Sequence, residues 1–210
     1  MSSYPDWFYD MIQYGLTELE EHGILSPQTR LAIYERLDPM DSDPPNIHII
    51  RGRIALYALE RVLPVWKAHL PILGDEDDQL PMMLANAIRE VIEGRANLPD
   101  MWAYANEQWH LSSSIVEEIF EYHDEVPNTV AYVIETGIKG LLESMGLETL
   151  KEVEMWSEED HMRFTDDAAA TAAIVLCGGG DTGIPVDVQK LYEYWRWWLI
   201  ELVPRAWQGT

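Results

Sequence analysis

Between Asn128 and Gly146 the apolar residues Val130, Val133, Ile134, Ile138, Leu141, Leu142 and Met145 recur at steps of three and four. That spacing gathers them on one stripe of an α-helix, whereas a half-buried strand would alternate. The same period returns along most of the chain and constrains the fold more than any motif does. It predicts an all-α protein of about eight or nine helices.

The helix boundaries follow from local chemistry. Pro5 opens a helix with Trp7, Phe8, Met11, Ile12, Leu16 and Leu19 on one side, and Gly23 closes it. Ser26 before Pro27 caps a second helix that runs to about Leu37. The segment DPMDSDPPN has no period and reads as a loop. A long helix from about Ile47 buries Ala55, Leu56, Leu59, Val62, Leu63 and Trp66, with Arg53, Glu60 and Lys67 opposite. Pro64 should kink or break it. A helix near Pro81 ends by Gly94, and Pro99 opens another bearing Met101, Trp102, Ala105 and Trp109. Residues 112–125 are a further helix or its continuation. In the 128–146 helix, Glu135, Lys139 and Glu143 lie four apart on the outer side. Ser157 with Asp160 resembles a capping box and would start a helix through the alanine-rich run. A final helix from about Pro185 carries Val188, Leu191, Trp195, Trp198 and Leu202; its aromatics fall on more than one face, which predicts burial between other helices. No linker divides residues 1–210, so one domain is expected.

The chain carries 37 Asp plus Glu against 14 Lys plus Arg, a formal net charge of -23. Such a field attracts basic partners and repels nucleic acid and anionic membrane. No apolar run is long enough to span a membrane, and the N-terminal MSSYPDWFYD lacks the layout of a secretory signal. The single Cys177 excludes an internal disulfide. A cytoplasmic protein is expected. The acids concentrate at Glu117, Glu118, Glu121, Asp124 and Glu125, and again at Glu152, Glu154, Glu158, Glu159 and Asp160. Either patch alone reads as a solvated helix face; together they point to a surface that mimics a phosphate backbone toward a basic protein.

Motifs for catalysis are weak. GGGDTG at 178–183 matches a dinucleotide fingerprint in letters, but the βαβ context is absent, and a glycine-rich helix end explains it. Two Glu-x-x-His pairs, Glu107 with His110 and Glu158 with His161, could contribute to a di-metal carboxylate site in a helical bundle. In a chain so rich in acids such pairs also arise by chance. Asp166 and Asp167 read as solvated or locally hydrogen-bonded positions. No cofactor and no catalytic residue is predicted. A helical-bundle metalloenzyme and an oligomeric scaffold using the C-terminal aromatic helix remain as alternatives.

Three stretches carry a family resemblance. They are RIALYALERVLPVWKAHLP at 53–71 with the acids Asp75 to Asp78 and Pro81 after it, DHMRFTDDAAATAAIVLCGGG at 160–180, and LYEYWRWWLIELVPRAW at 191–207. In this order and spacing they resemble immunity family five of bacterial polymorphic toxin systems, an all-helical group. The likeness spans residues 53–207; the N-terminal part, residues 1–50, and a middle poorer in alanine depart from it. The resemblance implies a non-catalytic protein that neutralises a cognate toxin. The acid surplus suits a basic toxin, a nuclease among them.

Overall fold

The computed structural model describes residues 4–37, 48–73, 79–122, 127–146 and 167–209, and all regular structure among them is helical. Helix α1 spans Asp6–His22, α2 Pro27–Leu37, α3 Ile49–Leu73, α4 Leu80–Ile92, α5 Leu98–Tyr122, α6 Ala131–Ser144 and α7 Ala168–Cys177. The last helix, α8, joins an α segment Val188–Trp197, a π turn Trp198–Leu202 and an α segment Val203–Gln208. Central α3 and α6 pack on each other and on α4 and α7, and α5 also lies against α6. One core of buried apolar residues runs from Phe8 to Ala206.

The predicted ends are made by the predicted chemistry. Gly23 adopts φ 75° and donates its N–H to the Leu19 carbonyl, closing α1. The Ser26 hydroxyl accepts the Thr29 N–H at 3.2 Å and opens α2. The α6 stripe is buried, with Val130, Val133, Ile134, Ile138 and Leu141 at most 1% exposed. Residues 112–122 continue the helix opened at Leu98, making α5 a single element.

Five expectations need correction. Trp7, expected on the apolar side of α1, is 37% exposed. Helix α3 does not break at Pro64. Pro64 is exposed while Val62 and Trp66 are buried, so the Glu60 carbonyl that it leaves without an N–H lies on the side open to water. The alanine-rich helix is capped by Asp167, whose carboxylate accepts the Ala170 N–H at 2.7 Å; Ser157 and Asp160 lie outside the described residues. Val188 is 66% exposed and does not join the core stripe of α8. Glu143 is not on an outer face: it is 2% exposed.

Small residues let the central helices approach closely. A Cβ built at Gly52 would lie 2.6 Å from Cγ2 of Ile92 and 2.8 Å from Cβ of Ser144. Gly52→Ala should therefore destabilise the fold by about 1–2 kcal/mol, because overpacking outweighs the roughly 1 kcal/mol that alanine contributes to helix propensity. Urea unfolding measures it, and a variant as stable as the parent would contradict this close approach. Nearly all of α7 is buried, as expected for a helix apolar on all sides. In α8 the π turn sits just ahead of Pro204, whose ring would crowd the Ile200 carbonyl in a regular α turn. Trp195 and Trp198 are at most 2% exposed, so one side of the C-terminal aromatic helix is buried, while Glu193, Arg196, Ile200 and Glu201 on its other side are exposed.

Candidate functional site

Glu117 is exposed on α5. Glu118 and Glu121 belong to the same helix, but their side chains are outside the described residues, as are Asp124 and Glu125. The second predicted patch, Glu152, Glu154, Glu158, Glu159 and Asp160, also lies outside them, so the two patches are not brought into relation. Of the candidate metal ligands, Glu107 and His110 are exposed on α5, and Glu158 and His161 are outside the described residues. Among the described residues no group of three or more His, Cys, Asp or Glu is placed to hold a metal ion.

The glycine loop has the geometry of a helix end. It follows α7, not a strand, and Gly178, Gly179, Gly180 and Gly183 all take positive φ. The Gly178 N–H returns to the Ile174 carbonyl at 2.9 Å, and a Cβ at Gly178 would lie 2.7 Å from the Pro185 carbonyl oxygen. The loop thus turns the chain tightly from α7 into α8. Burial pushes the Cys177 thiol just before it up to about 11, so it stays protonated and unreactive at neutral pH.

Sequence reasoning missed a buried ionic cluster that joins α2, α3, α6 and α7. Arg30 of α2 donates from Nε to Oδ2 of Asp167 at 2.5 Å and from Nη1 to the Leu25 carbonyl at 2.8 Å. Arg30 is 2% exposed and Asp167 fully buried. The other Asp167 oxygen caps α7. Glu143 of α6 accepts the Ala168 N–H at 2.7 Å, so two acidic side chains serve the first turn of one helix. Burial, and next the charge of Asp167, raise the Glu143 carboxyl to about 8. Arg51 of α3 lies 4.8 Å from the Tyr34 ring centroid, and Arg30 lies 4.8 Å from that of Trp195. Burial is also the main reason that the Tyr34 and Tyr194 hydroxyls hold their protons well above the usual tyrosine range. No charged group of this cluster reaches the surface, which fits a role in fixing the fold rather than in meeting a macromolecule. The only local signal for it was Asp167 immediately before the alanine run.

The outer side of α1 is the other feature that periodicity left unread. Asp6, Tyr9, Asp10, Tyr14, Glu20 and Glu21 are exposed there. Around its first turns Tyr4, Trp7, Phe8, Tyr9 and Trp207 form a set of touching rings, with centroids 4.5–5.9 Å apart.

The chain matches the family described as immunity protein Imm5 over residues 12–205. It belongs to the Imm5 family of immunity proteins. The match begins inside α1, well ahead of residue 53, so α2 with its buried Arg30 lies within the matched span. No individual curated protein matches the chain. The all-helical fold expected of the family is the fold observed. Among the described residues no helix is long and apolar enough to cross a membrane.

Proposed function

We propose that this chain binds and neutralises a cognate toxin of a polymorphic toxin system, acting in the cytoplasm and without catalysis of its own. Membership of the Imm5 family over residues 12–205 carries the reading. The net charge of -23 supports a basic partner, with a nuclease as the toxin activity that an acidic surface would best occlude. Exposed Glu117 on α5 supports a docking contribution from the acids at 117–125, and the acids at 152–160 are proposed to add to it. Association is then electrostatically steered, and its rate falls as salt rises.

Co-expression tests the reading. A toxin module is expected to be encoded beside this gene; expressed alone it should arrest growth, and it should cease to do so when this chain is co-expressed. A chain that neither restores growth nor binds the module in solution would end the proposal.

A further inference from the structure

Helix α1 has two unlike sides. Phe8, Met11, Gly15 and Leu19 are buried, and a Cβ at Gly15 would lie 2.7 Å from Cδ2 of Leu199, so this side sits tightly on α8. Toward solvent large rings flank the acidic strip of Asp6 and Asp10: Tyr14, 61% exposed, and Trp7, 37%, stand on one flank, and Tyr9, 55%, on the other. A solvated helix face has little use for such rings. Two of them are held in place: Trp7 meets Trp207 edge-on at 5.3 Å, and Tyr9 meets Tyr4 at 5.8 Å. Rings fixed in this way lose little freedom on binding, and Trp and Tyr are the residues that most often anchor interfaces.

Charge decides what would cover them. Asp6, Asp10, Glu18, Glu20 and Glu21 lie along α1, which has no Lys or Arg. Of these, Glu18 is engaged by the Ser26 N–H, while the other four are exposed. The cations near the end of α8 are occupied: Arg53 bonds the Ala206 carbonyl and Arg205 lies over Tyr57. A second copy would bring like charges together, and an anionic lipid surface would be repelled. An arginine or lysine finds both of its partners here, a ring face for the cation and a carboxylate for its N–H groups.

We infer that the outer face of α1 is where a basic protein partner docks, its arginine and lysine side chains lying on Trp7, Tyr9 and Tyr14 and pairing with Asp6 and Asp10. This rests on the immunity reading above and adds the anchoring surface to it.

The probe is the toxin module expected beside this gene, catalytically inactivated and titrated calorimetrically into the full chain. The double variants Tyr9→Ala/Tyr14→Ala and Asp6→Lys/Asp10→Lys should each weaken binding at least ~10-fold, with melting temperatures close to the parent because the changed side chains are exposed. Tyr14→Ala alone serves should the first double variant fail to fold, and Asp10→Lys alone should the second. If the parent binds and either variant binds as tightly, the α1 inference is overturned while the immunity reading stands. If the parent does not bind, both fall. A parent that sediments as a dimer, and that these substitutions convert to a monomer, assigns the face to a second copy and also overturns the inference.

Discussion

Asp167→Ala should lower the unfolding free energy by about 4–6 kcal/mol, the largest single loss expected in this fold. Two effects act together. The substitution strands the Arg30 guanidinium, 2% exposed and now without its carboxylate; breaking a buried pair in this way costs about 3–5 kcal/mol. It also removes the acceptor for the Ala170 N–H, and loss of a helix cap costs roughly 0.5–2 kcal/mol. A domain is stable by only about 5–15 kcal/mol, so the variant should be partly unfolded at physiological temperature. Asp167→Asn separates the two effects, because its amide oxygen can still cap α7 while the charge is gone; most of the loss should remain. Adding Arg30→Met to Asp167→Asn removes the stranded cation and should return part of the stability. Urea unfolding of the three variants measures this. A loss below about 1 kcal/mol in Asp167→Ala would show that the pair does not hold α2 to α7.

Why this pair escaped the sequence is a matter of distance along the chain. Arg30 and Asp167 are 137 positions apart, and no local pattern couples them. The sequence also offered Ser157 with Asp160 as the helix start, which left Asp167 reading as a solvated or locally hydrogen-bonded position. In the fold Asp167 is fully buried and paired with Arg30. Glu143 shows a different limit. The four-residue spacing of Glu135, Lys139 and Glu143 correctly makes them neighbours on α6, but spacing does not say how many helices surround that one. Helix α6 is packed by α3, α4, α5 and α7, and of these three residues Glu135 and Lys139 alone keep partial exposure. In α1, which is packed on one side only, periodicity identified Phe8, Met11 and Leu19 as buried but wrongly included Trp7, and Gly23 marked the end. It was silent about the other face of α1, because a reading that searches for apolar stripes takes what lies opposite as solvated. The acids of α5 were legible as an outward face at Glu117, and the glycine loop as a helix end, because both depend on neighbours only a few residues away.

Glu143 should make stability fall as pH rises, the reverse of what paired surface acids do. Its carboxyl titrates at about 8 in the fold against an ordinary value of 4.5. The folded chain therefore binds more protons than the unfolded chain between these values, and linkage makes stability decline across that window. The contribution is fully present below pH 4.5 and is lost by about pH 9, on the order of 5 kcal/mol in all. Burial is the main cause and the charge of Asp167 the next, and the Ala168 N–H, Arg51 and Lys139 offset them only in part. The Cys177 thiol, pushed up to about 11 from 9.0, adds its own loss toward pH 9, but it is common to the parent and a Glu143 variant and cancels in their difference. Glu143→Gln reproduces the protonated shape: its amide oxygen can accept the Ala168 N–H and it bears no charge. The variant and the parent should be nearly equal in stability at pH 5, and the variant should be the more stable by several kcal/mol at pH 9. Denaturant unfolding at half-unit steps between these limits checks it, and parallel pH profiles for the two chains would show that Glu143 carries its charge in the fold without cost.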